Sequence, residues 1–121
     1  MIEATRVVVT DRDGVPFVAL HGEHDVYDAP QLRRLLLEDL ADRPRLVLDV
    51  SDTAFIDSTV VAVILSAHRR RRSDGGGIAL VLGDGVLRRM VEIMRLDTVF
   101  ETYRTPAAAL AAVRSGSPAT S

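Results

Sequence analysis

Cysteine, tryptophan and lysine are all missing from this chain of 121 residues. Without cysteine there are no disulfides, no thiolate metal sites and no cysteine nucleophile. Without tryptophan, and with only two tyrosines and three phenylalanines, the 47% of hydrophobic residues must build an aliphatic core of valine, leucine, isoleucine and alanine. Without lysine there is no G-x-x-x-x-G-K-[ST] phosphate loop, so the GGG and GDG segments read as turns. No apolar run approaches the ~20 residues that span a bilayer. Charges at Glu3 and Arg6 interrupt the start, where a signal peptide would need apolar residues. A cytosolic protein without membrane contact is expected. The net charge of −2 favours neither nucleic acid nor an anionic lipid surface.

The length suits one domain with a real core. RVVVT (6–10) and PFVAL (16–20) are β-branched and apolar, and DRDG (11–14) between them predicts a hairpin. HGEHDVYDAP reads as a polar turn leading into a helix, with Asp28 and Pro30 as its opening chemistry. Leu32, Leu35, Leu36 and Leu40 fall on one face of that helix, and ADRP closes it. LVLDV (46–50) reads as a buried strand and SDTAFIDS as a loop. VVAVIL (60–65) fits a strand or a buried helix. A capping residue before it, and the RRRR-then-GGG ending after it, favour helix. IALVL (78–82), a helix over 86–95, a strand TVFET (98–102) and an alanine-rich helix opened by Thr105-Pro106 complete the order β-β-α-β-α-β-α-β-α. This predicts one α/β domain over 1–114, with a mixed, mostly parallel sheet, an N-terminal hairpin and about four helices. Residues 115–121, SGSPATS, read as a disordered tail.

His21, Glu23, His24 and Asp25 could supply metal ligands, but they lack the helical i, i+4 histidine spacing of a zinc protease. A polar loop is the simpler reading, and no cofactor is implied. Arg69 to Arg72 have no interleaved aromatics and read as a solvated helix end, not a nucleic-acid patch. The segment FIDSTVV (55–61) is the one with chemistry. It is not a G-x-S-x-G nucleophile elbow. Asp57 or Ser58 would cap a helix alone. Two hydroxyls following an acid at a helix start also suit a phospho-acceptor, because free backbone N–H groups favour an anion there. Chemistry alone leaves both open.

Three segments together resemble a STAS domain of the anti-sigma-factor antagonist family. GEHDVYDAPQL (22–32) is similar to the family's G-E-L-D-x-x-x-A-P-x-L. LVLDVSDTAFIDSTVV (46–61) is similar to L-V-L-D-L-S-x-V-x-F-I-D-S-[ST]-G-L. GGGIALVLGDGVLRRMVEIMRLDTVFETYRT (75–105) follows the pattern around G-L-D-x-x-F-x-x-Y. The resemblance implies a partner-switching regulator and not an enzyme. Its dephosphorylated form binds an anti-sigma factor that is also a serine kinase of the histidine-kinase-like ATPase fold, which frees the sigma factor. Phosphorylation ends the complex, and a metal-dependent serine/threonine phosphatase reverses it. Carried onto this chain, the acceptor is Thr59, with Ser58 as the alternative. Asp25, Asp57, Ser58, Thr59, Val60 and Leu96 fall at partner-binding positions. The chain departs from the family at Val60, where glycine is usual, and at His24, where leucine is usual. The alternatives to this reading are a STAS scaffold that takes no phosphate and, remotely, a small hydrolase using Ser58 or Thr59.

Overall fold

The computed structural model describes residues 6–115. Strands β1 (Val7–Arg12) and β2 (Val15–His24) form the expected antiparallel hairpin. Asp13 and Gly14 both have positive φ, 57° and 86°, the backbone of a tight two-residue turn. The Asp11 carboxylate accepts the Gly14 N–H at 2.8 Å and fixes it.

A 3₁₀ turn (Val26–Asp28) leads into α1 (Ala29–Arg34), which widens into a π-helical turn over Leu35–Asp39. The wide turn shifts the apolar stripe, so Leu32 and Leu36 are fully buried while Leu35 and Leu40 pack at its margin. Next come β3 (Arg45–Ile56), α2 (Ser58–Ser73), β4 (Gly77–Val81), α3 (Val86–Ile93), a 3₁₀ turn (Leu96–Thr98), β5 (Glu101–Tyr103) and α4 (Pro106–Arg114). The strands lie in the sheet in sequence order, parallel from β2 to β5. Helices α1, α2 and α3 cover one face, over a core that includes Leu20, Leu48, Ile64 and Leu80. The other face is covered by α4 through Ala109 and Leu110, against Phe17, Val47 and Val81.

The mixed sheet, the hairpin and the four helices agree with the sequence. Two segments read as loops are strand instead. HGEH closes β2, and SDTAFI extends β3 to Ile56. Both hid because register shifts between Ala19 and His21 and between Gly22 and Glu23 break the alternation expected of strands. The last strand starts later than expected, because residues 96–98 coil into the 3₁₀ turn first. Apart from Ser115, the proposed tail lies outside the described residues.

The arginine run is not uniformly solvated. Arg71 is buried, and its guanidinium donates to the carbonyls of Arg43 (3.0 Å), Leu40 (2.7 Å) and Ala67 (3.3 Å). It thereby satisfies carbonyls where the α1 segment ends. Burial, and then the neighbouring Arg70 charge, lower its pKa. Beside it, the buried His68 donates from Nε2 to the Val99 carbonyl (3.1 Å) and accepts the Ile78 N–H at Nδ1 (3.0 Å). Gly76 packs so tightly that a Cβ there would lie 1.9 Å from the Pro44 carbonyl oxygen. The GGG segment is therefore a packed turn.

Candidate functional site

Strands β2 and β3 run side by side to the pair His24 and Ile56. There the Asp57 N–H donates to the His24 carbonyl at 2.9 Å, so the two chain segments leave the sheet together. One continues as Asp25 and the turn Val26–Asp28, the other as Asp57 and the first turn of α2. The parallel register thus brings Asp25 and the Asp57-Ser58-Thr59 segment to the same edge of the sheet.

Asp57 is the N-cap of α2, with extended backbone, and its Oδ1 accepts the Thr59 N–H at 2.7 Å. Bonding from the Thr59 N–H, and then from its hydroxyl, holds the Asp57 carboxyl below the usual carboxylate range. Ser58 and Thr59 occupy the first turn and are both exposed. Asp57 being the cap frees the two hydroxyls from that duty.

Asp25 caps the facing turn in the same manner, accepting the Tyr27 N–H at 3.0 Å. The Asp28 carboxylate closes a capping box by accepting the Asp25 N–H at 2.8 Å. Arg6 grips both Asp28 oxygens, at 3.2 and 3.1 Å. Partial burial alone would raise the Asp28 pKa, but the bonds from Arg6 and the Asp25 amide outweigh it and the pKa falls. Around this edge the exposed side chains include Tyr27, 86% accessible, and Phe55, 50% accessible. The segments 21–30 and 49–68 carry Glu23, Asp25, Asp28, Asp49, Asp52 and Asp57 and no arginine. Arg6 offsets Asp28, which leaves Glu23, Asp25 and Asp57 as the negative charge at the edge, beside two aromatics.

The other two residues picked out by resemblance lie elsewhere. Val60 is 0% accessible and Leu96 8%, both in the core beneath α1–α3. Their side chains are not on the surface and act only through what they pack against. Sequence reading missed Tyr27 and Phe55, whose signal is an aromatic flanking each polar motif. It also missed Arg6, which lies far from Asp28 in the chain.

No imidazole is paired with the hydroxyls. His21 Nδ1 lies 2.7 Å from Asp52, His24 bonds the His21 carbonyl, and His68 is held near the other end of α2. A nucleophile needs a base within hydrogen-bond reach, and the bonds these three make go elsewhere. Among the described residues, no group of three or more histidine, aspartate or glutamate side chains could hold a metal ion. Among them, too, no helix is long and apolar enough to cross a membrane.

The exposed hydroxyls of this small α/β domain thus stand at a helix start, at the edge where β2 and β3 end. The chain belongs to the STAS domain family, whose model matches residues 6–109. An anti-sigma factor antagonist from Mycobacterium paratuberculosis is 32% identical over 89% of this chain and 92% of that one, with a TM-score of 0.79. A putative anti-sigma factor antagonist from Thermotoga maritima is 24% identical over 89% and 94%, with a TM-score of 0.81. The phosphorylated form of SpoIIAA, a Bacillus cell fate determinant, is 17% identical over 88% and 98%, with a TM-score of 0.69. These last two likenesses speak to the fold. No curated protein matches the chain.

Proposed function

We propose that the chain is an anti-sigma-factor antagonist working by partner switching in the cytoplasm, without enzymatic activity of its own. Dephosphorylated, it binds an anti-sigma factor that is also a serine kinase of the histidine-kinase-like ATPase fold, and the sigma factor is released. That kinase phosphorylates Thr59, the complex parts, and a metal-dependent serine/threonine phosphatase restores the binding form. Asp25, Asp57, Ser58 and Thr59 form the contact edge, with Val60 and Leu96 supporting it from within.

The observation carrying this reading is the exposed Ser58-Thr59 pair in the first turn of α2, capped by Asp57 beside Asp25. A phosphate there adds about −1.5 to −2 charge. It would sit against a carboxylate already bonded to Thr59, on an edge that also carries the Asp25 carboxylate. Desolvating that charge in a packed interface can cost several kcal/mol, and each ~1.4 kcal/mol is a tenfold loss of affinity. The fold need not change. The existence of SpoIIAA in both unphosphorylated and phosphorylated forms supports the reading by analogy of fold.

The test is to treat the protein with a cognate kinase and ATP, map the modified peptide, and measure partner binding by calorimetry. A single phosphate on Thr59 is expected, lost in Thr59→Ala and kept in Ser58→Ala. Thr59→Ala should bind the partner as the wild type does, and Thr59→Glu markedly worse. Phosphate on Ser58 alone refutes the assignment of the acceptor. Partner binding with no phosphate incorporated would instead favour a constitutive scaffold.

A further inference from the structure

The same edge holds a buried polar atom that the function above leaves unused. His24 is fully buried, and its Nε2 lies 3.1 Å from the His21 carbonyl, a bond that needs the proton on Nε2. Nδ1 is then a buried acceptor without a hydrogen-bond partner. It faces Asp28 Oδ2 at 3.7 Å. Two acceptors facing each other away from solvent are unfavourable, and an unsatisfied buried atom in a native core calls for a reason.

We propose that His24 is an acid-sensing trigger beneath the Asp25–Asp28 turn: a proton taken from solvent onto Nδ1 turns the opposed contact with Asp28 into a charge-assisted hydrogen bond and frees the Asp25 amide. The release follows from crowding at one oxygen. Asp28 Oδ2 already accepts the Asp25 N–H at 2.8 Å and Arg6 Nη2 at 3.1 Å. With an imidazolium added, two cationic donors compete with a neutral amide. Both cations draw the carboxylate by a full charge and the amide only by its dipole, so the amide yields. The capping box then opens on its Asp25 side.

The charged groups around His24 are Arg6 ahead of β1, Asp25 and Asp28 in the turn, the His21–Asp52 pair across β2 and β3, and Asp57 at the α2 cap. Burial first, and then the Arg6 charge, hold the His24 pKa below its ordinary value, while Asp28 and Asp25 oppose them. The trigger is therefore unprotonated near neutrality and acts below about pH 6.5. Its consequence for binding rests on the function proposed above: Asp25 lies on the contact edge, so acid should weaken the complex. The loss expected is about tenfold, the lower worth of one hydrogen bond to a charged group.

NMR titration of the full chain from about pH 7.5 to about pH 5 tests the trigger without any partner. The His24 Cε1–H and the Asp25 and Tyr27 amides should share one midpoint. The Asp25 response should vanish in His24→Leu and persist in His21→Gln, which removes only the exposed imidazole. An Asp25 amide that ignores the His24 titration, or that titrates unchanged in His24→Leu, overturns the proposal. If His24→Leu does not fold, Asp28→Asn decides. Without the carboxylate the Asp25 amide must lose its coupling to His24, and persisting coupling overturns the proposal. Calorimetry with the anti-sigma partner at both pH extremes should give weaker binding in acid for the wild type only. Equal affinity at both refutes the link to binding. A partner that binds at neither refutes the functional reading, while the NMR result still decides the trigger.

Discussion

Replacing Val60 separates two contributions to the start of α2, because the side chain is wholly buried while its neighbours Ser58 and Thr59 are in solvent. Val60→Ala removes two buried methyl groups, worth about 0.8 kcal/mol each, and leaves a cavity, for a total of about 2 kcal/mol. Val60→Gly adds about 0.5–1 kcal/mol of backbone entropy, for about 3 kcal/mol. At roughly 4 °C per kcal/mol for a domain of this size, the melting midpoints should fall by about 8 °C and about 12 °C. Thermal and urea melts measure this directly. Hydrogen exchange at the Thr59 amide, the donor to Asp57, reports whether the first turn frays. Exchange should quicken more in the glycine variant than the melts alone predict, because only glycine loosens the backbone as well as the packing. Under the proposed function, the looser turn should also accept phosphate faster. A Val60→Ala protein melting within about 2 °C of the wild type would refute the burial argument. Equal Thr59 exchange in the two variants would refute the backbone argument.

Arg71 and His68 give the remaining predictions. In Arg71→Met the Arg43 carbonyl would lose its Arg71 donor, at about 1–3 kcal/mol for an unsatisfied buried group, while Leu40 keeps the Arg43 N–H and Ala67 its place in the helical ladder. Part of this is offset because the cation no longer has to be buried. A net loss toward the lower end of that range is expected in urea melts, and an unchanged midpoint would mean that burying the cation costs as much as its bonds contribute. For His68, burial lowers the pKa in the folded protein, so the unfolded chain binds the proton more readily. Stability should be full above about pH 6.5 and be lost as the pH falls through the lowered folded pKa. Melts from about pH 7.5 to about pH 5 should show that decline, shallower in His68→Gln, with the residual slope due to His24, whose pKa is lowered in the same direction. An identical slope in His68→Gln would refute this assignment.

The parts of the fold legible in the sequence were those where local chemistry and tertiary packing agree. The Asp13-Gly14 turn, the Asp57 and Thr105 caps and the α/β alternation all follow from short-range preferences that the packing then uses. The ends of β2 and β3 were not legible. There the strands carry polar residues and two register shifts, so neither apolar content nor period-two alternation marks them. Arg71 was misread because a run of four arginines looks solvated. Yet it continues the inward stripe of Val60, Ile64, Ala67 and His68 along α2, a signal that was present in the spacing. The site divides in the same way. The resemblance picks out Asp25, Asp57, Ser58 and Thr59, and it is the parallel register of β2 and β3 that brings them to one edge. The resemblance cannot tell that Val60 and Leu96, which it places among them, point inward, because accessibility depends on the helices packed above them.

Helix α2 has unequal ends. At the Ser58 end its hydrogen bonds are few, a cap from Asp57 and one backbone bond to the neighbouring strand, and below them it is held by the packing of Val60. Toward the Ser73 end it is bolted on three sides, with Arg71 gripping the end of the first helical segment and His68 joined to both β4 and the chain entering β5. In mechanical terms it is a beam clamped at the root, with its tip at the surface. Such a beam cannot relieve a load at the tip by sliding along its axis, because the root would have to break several buried bonds at once. A bulky charge placed on the tip therefore cannot be absorbed into the body of the domain. It stays at the surface as a local change of shape and potential, felt by whatever is docked there.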